Sequence, residues 1–140
     1  MPLTSVLPAI AAALFIANAI YLVRSRSGSG VHWHIPLILS VAFLVFSLWT
    51  IALEGPTGFW PNHTTNLWGN QVWIDLLLAI TIGWTLILPR ARAVHMNTGG
   101  WLAAIIFSGS IAFLAMLARL IVLETRAESK EPNWELKAER

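Results

Sequence analysis

An all-α membrane protein, a polytopic up-down bundle of four transmembrane helices, is the fold class this sequence predicts, on three observations. The chain is 56% hydrophobic and 11% charged, where an average soluble domain carries about 25% charged residues. Its apolar residues collect into four runs near the length of about 20 residues that crosses a ~30 Å hydrocarbon layer. Its arginines fall in alternate connections, the pattern left when positive charge is retained on one side of a membrane.

The runs are residues 3–23, 35–53, 67–88 and 101–123. Within 1–123 the only charged residues are Arg24, Arg26, Glu54, Asp75, Arg90, Arg92 and Arg119, and the other nine lie in the tail 124–140. A transmembrane domain over 1–123 and a charged tail over 124–140 is the implied organisation.

The first run is read as a retained span, because nothing positive precedes it except the amino terminus and it exceeds the 7 to 15 apolar residues of a signal peptide. Between runs one and two, Ser25 to Gly30 is a Ser/Gly/Arg stretch. Between two and three lie Gly55, Pro56, Gly58 and Pro61, and Gly99 and Gly100 precede the fourth run. Such turn chemistry over short connections predicts antiparallel neighbours.

Loop one carries Arg24 and Arg26, loop three carries Arg90 and Arg92, and loop two carries no basic residue. Both termini are therefore expected outside, although Arg126, Lys130, Lys137 and Arg140 of the tail pull the other way among five glutamates. Trp33 and Trp101 open runs two and four, and Trp60, Trp68 and Trp73 gather at the opposite face, as headgroup anchors do. Trp49 and Trp84 lie deeper. In the tail, Pro132 and Asn133 predict a short helix through Leu136.

Ionisable groups inside a bilayer cost about 2.5–3.5 kcal/mol each on insertion scales, so each needs a reason. With alternating spans, Asp75, Arg119 and Glu54 fall toward one face, with Asn70 and Gln71 entering beside Asp75. Arg119 shares its face with the small residues Ser108, Ala112 and Ala115, which predicts an inward side chain. The polar cluster Glu54, Asn70, Gln71, Asp75 and Arg119 is the candidate site, read either as an Asp75–Arg119 ion pair tying two helices or as a seat for a polar ligand head or a proton. Asn18 and the series Ala9, Ala13, Ala17 read as helix-packing positions.

Several chemistries are disfavoured. With no cysteine, thiolate catalysis and cysteine-ligated metals are excluded. His32 and His34 are separated by one residue and lack a third ligand nearby, so no metal is expected. Ser-His-Asp, phosphate-loop and dinucleotide patterns are absent, so no cofactor is expected. The basic residues form no patch suited to nucleic acid, despite a pI near 9.7. Asn62-His63-Thr64 fits a glycosylation acceptor only in a eukaryotic secretory pathway.

The run Trp68-Gly69-Asn70-Gln71-Val72-Trp73-Ile74-Asp75-Leu76, then Pro89-Arg90-Ala91-Arg92, Trp101 and Gly109-Ser110, resembles small four-helix bacterial inner-membrane proteins of unknown function. In those a Trp-Gly or Asn opens a helix carrying Asp-Leu, and a basic turn precedes the last helix. The likeness covers about the second half of the chain and implies a location, the bacterial inner membrane, but no activity.

The reading that follows is a non-enzymatic accessory subunit, or a holder of a lipid-like molecule, with the bilayer and other membrane subunits or a second copy as partners. Two alternatives stand beside it: a dimeric proton-coupled transporter using Asp75, and a membrane enzyme on an isoprenoid or sterol-like substrate, with Asp75 and Glu54 as acid and base and Trp49 or Trp84 steadying a cation.

Overall fold

A computed structural model describes residues 3–24 and 32–129. Arg26 and the short helix expected over 132–136 lie outside them. The described residues form six helices: α1 (Leu3–Arg24), α2 (His34–Glu54), α3 (Phe59–Thr64), α4 (Leu67–Ala93), α5 (Thr98–Ser108) and α6 (Ser110–Glu128). Residues 1–30 and 31–140 are separate compact units. The first unit is α1, apolar on every side, with Leu14, Phe15 and Ile16 all exposed.

The four-transmembrane-helix bundle expected from the sequence is therefore corrected to a six-helix all-α fold. Among the described residues α2 and α4 are long and apolar enough to cross a membrane, α5 is a shorter apolar helix, and the described side chains of α1 cover the apolar stretch Val6–Tyr21. Two local features cause the difference. The second connection contains a helix of its own, α3, with Pro61 in its first turn, where a missing N–H costs nothing. The fourth run is broken at Gly109, whose backbone takes φ 57° and ψ −126°. That conformation suits a residue without Cβ, and it ends α5 and begins α6.

Around the break the chain reverses. Gly83 of α4 lies against Phe113, so close that an added Cβ would sit 2.7 Å from the ring's Cζ. Further along both helices Arg90 is bonded to Glu124. Contacts rising together in number mean that α4 and α6 advance in the same sense, with α5 folding back between them. Apolar residues at helical spacing close the core on this frame: Ile87 and Ala91 of α4, Ile105 of α5, and Ala112, Met116 and Leu120 of α6, with Trp84, Trp101 and Phe113 against them.

Helix α2 packs along α6. Its least exposed residues, Pro36, Ser40, Ser47 and Thr50, recur at helical spacing. Ser40, the one buried polar side chain among the described residues, donates to the Ile111 carbonyl at 2.8 Å in the first turn of α6. That bond fastens α2 to the far side of the Gly109 break.

Candidate functional site

Helix α4 begins where Asn66, extended at φ −151°, accepts the Gly69 N–H on its Oδ1 at 2.8 Å, a cap that satisfies one of the free amides of the first turn. Asn70 Nδ2 donates to the Asn66 carbonyl at 3.0 Å. Helix α3 then lies against this end of α4, close enough that a Cβ on Gly69 would meet the Asn62 carbonyl oxygen at 2.5 Å. Aromatic contacts complete the seat: Phe59 and His63 each meet Trp73, with ring centroids 6.1 and 5.0 Å apart. His63 Nδ1 lies 2.6 Å from the Phe59 carbonyl. Since a carbonyl only accepts, the imidazole proton in that bond sits on Nδ1.

Asn70, Gln71 and Asp75 are all exposed and, with Leu67, Ile74 and Leu78, line an open depression of about 390 Å³. Every lining residue belongs to α4. At 100° per residue Gln71, Asp75 and Leu78 lie roughly 120–180° around the helix from Ile80, Trp84, Ile87 and Ala91, which meet the core, while Asn70 lies to one side. The polar stripe thus points away from the protein's own packing, about two turns into an otherwise apolar helix.

Glu54 ends α2 and is exposed, with Gly55 capping the helix through its N–H to the Ile51 carbonyl at 2.9 Å. Arg119 is exposed on α6. Among the described residues no ion pair or hydrogen bond joins Glu54, Asp75 and Arg119; the ion pair present is Arg90–Glu124. The reversal at Gly109 separates the expected partners. Because α6 runs with α4, Arg119 is carried toward the Arg90 end, away from Asp75.

The same break alters the packing positions. Ser108 is in α5, where its hydroxyl donates to the Ala104 carbonyl at 2.8 Å, so it does not share a helix face with Arg119. Ala112 is buried in the core and Ala115 is half-buried. Asn18 is exposed on α1, in the other unit. His32 stands just outside α2, and its ring stacks on His34 at 5.3 Å. Among the described residues no group of three potential metal ligands forms.

Arg90 and Glu124 were not foreseen as partners. Nε donates to Oε1 at 2.9 Å and Nη2 to Oε2 at 2.7 Å, a two-point contact with side chains 51% and 27% exposed. At that exposure it is worth at most about 1 kcal/mol, and its main consequence is to fix which ends of α4 and α6 lie together. No protein-family model, curated protein or solved structure matches the chain, so the likeness to small inner-membrane proteins rests on the quoted residues alone.

Proposed function

We propose that this chain is a multi-pass protein of the bacterial inner membrane, a non-enzymatic accessory subunit that offers one face of α4 to a partner helix within the bilayer. The observation that carries the reading is the placement of Gln71 and Asp75 on the outward face of a helix with the length and composition of a membrane span. Lipid cannot satisfy a carboxylate or amides, and polar groups in spans are glue between helices.

The bilayer itself is supported by how little of the two apolar helices is covered. Only 11% and 6% of their most apolar stretches are buried, for α2 and α4 respectively. A core helix of a water-soluble protein is mostly buried, and exposed apolar faces of this extent are otherwise aggregation sites. The ends of α4 suit the two interfaces, with Trp60, Trp68 and Trp73 at one and Arg90 and Arg92 at the other. From Trp68 to Arg90 the helix rises about 33 Å at 1.5 Å per residue, close to the ~30 Å of hydrocarbon. By the positive-inside rule the arginine end faces the cytoplasm.

The depression beside Asp75 favours a helix over a lipid-like ligand, because sites for small ligands are concave and enclose most of the ligand's surface, whereas this one has a wall on one helix only. A photo-reactive residue at Leu78 should form adducts heavier than the 15.5 kDa chain in native membranes. The same probe at Val45, on the far side of α2 from its packed stripe, should not. Asp75→Leu with Gln71→Leu should abolish the Leu78 adduct. Persistence of the adduct in that variant, or its absence from the unaltered stripe, removes the partner reading.

A further inference from the structure

We infer that α5 and α6 form a re-entrant hairpin, which enters the bilayer from the Arg90 end of α4, turns at Gly109 inside the hydrocarbon, and leaves by the same face. The inference rests on the membrane reading of α2 and α4, and three observations beyond it converge.

The first is length. Helix α5 has 11 residues, about 16 Å at 1.5 Å per residue, which is half of a ~30 Å hydrocarbon layer. An apolar helix of 10 to 14 residues is too short to span and suits a segment that enters and returns. The second is the surface of the tip. Ile106 and Phe107, the last large residues before the turn, are 72% and 91% exposed. Side chains so exposed and so apolar, beside a sharp turn, fit lipid tails. Non-helical backbone at that depth is tolerated where protein covers it, and Gly109 and Ser110 are half-buried, with α2 fastened by Ser40 to the Ile111 carbonyl beyond the turn.

The third is charge. Counting equal distances from Gly109, Arg119 on α6 is level with Gly99, where α5 starts. Its exposed guanidinium is then at the headgroup layer, where a long cationic side chain is tolerated. Arg90 and Arg92 lie at the same end, with Glu124 bonded to Arg90, and Arg126 follows about 10 Å beyond Arg119 at 1.5 Å per residue, on the water side. A fourth run crossing straight through the bilayer would instead put Arg119 one turn inside it and send the tail to the opposite face. The hairpin places Ser129 on the side of the α4–α5 turn, in accord with the basic residues that follow it in the sequence.

The chain has no cysteine, so single cysteines report sidedness directly. Gly99→Cys, where a Cβ meets no atom closer than 3.8 Å, marks the start of α5, and Ser129→Cys marks the end of α6. Sealed inside-out and right-side-out vesicles are treated with a membrane-impermeant maleimide. The expected result is labelling of both cysteines from one and the same side, with none from the other. Labelling from opposite sides overturns the hairpin while leaving α2 and α4 in the membrane. Recovery of both cysteines in a vesicle-free soluble fraction overturns the hairpin together with the membrane reading.

Discussion

Val45→Lys is expected to lower membrane-integrated yield by about a hundredfold. Val45 lies near the middle of α2, on the side away from the Pro36, Ser40, Ser47 and Thr50 stripe, and is 62% exposed. A lysine near the centre of a span costs about 2.5–3.5 kcal/mol, and from the middle of α2 its stem is too short to bring the ammonium to the headgroups. On the surface of a water-soluble protein the same change falls within about 0.5 kcal/mol of neutral, and removing an exposed apolar side chain would aid solubility. The two environments thus give opposite outcomes at one position. The check is the amount of chain that remains in membranes after alkaline washing, with Val45→Leu as reference; an unchanged or larger soluble yield for Val45→Lys would count against lipid around α2.

Gly109→Ala is expected to destabilise the fold by about 1–3 kcal/mol, the cost of holding a residue with Cβ in a backbone region reserved for glycine. The penalty is conformational, since no atom lies within 4 Å of the added Cβ. Alanine also favours a continuous helix over glycine by about 1 kcal/mol, so the substitution strains the turn and rewards straightening α5 into α6. Thermal unfolding in detergent should show the loss, and Ser129→Cys in the Gly109→Ala background should become labelled in part from the opposite side of the membrane. Gly99→Ala is the control, because Gly99 is helical and open. Equal stability of the Gly109→Ala and Gly99→Ala variants would show that the turn places no special demand on its residue.

The apolar runs 3–23 and 35–53 match α1 and α2 to within one residue at each end, because an unbroken apolar run of the right length has few other forms, and 67–88 stops five residues short of the end of α4. Hydropathy does not register the break in the fourth run. Gly109 and Ser110 interrupt neither the mean hydropathy of 101–123 nor its length, and a backbone reversal that depends on one missing Cβ leaves no trace in a windowed average. A straight fourth run would put Arg119 at the Asp75 end, Ser108 and Ala112 on one face, and Glu124 in a solvated tail; the reversal changes all three. The glycine-serine pair inside the apolar run is the signal the sequence carries for the break.

Gly55, Pro56, Gly58 and Pro61 dominate the connection that holds α3 and predict turns there. The helicity of α3 comes from tertiary packing, through Phe59 and His63 on Trp73, which no local pattern reveals. The stripe Asn70, Gln71 and Asp75 was visible as polar residues in an apolar helix, and its spacing placed Gln71 and Asp75 on one face. Whether that face looked inward or outward depended on where Trp84, Ile87 and Ala91 found their partners.

The most direct test of lipid around α2 and α4 is the aqueous reactivity of Val45→Cys and Ile82→Cys. Both positions are more than 60% exposed, so nothing in the protein itself shields them. In intact membranes neither should react with a water-soluble maleimide from either side, and both should react fully after denaturation in sodium dodecyl sulfate. Reaction in the native preparation at the rate found in denaturant, at both positions, would contradict the account, since it would put water where lipid (Val45) or lipid and the partner helix (Ile82, one turn from Leu78) are required.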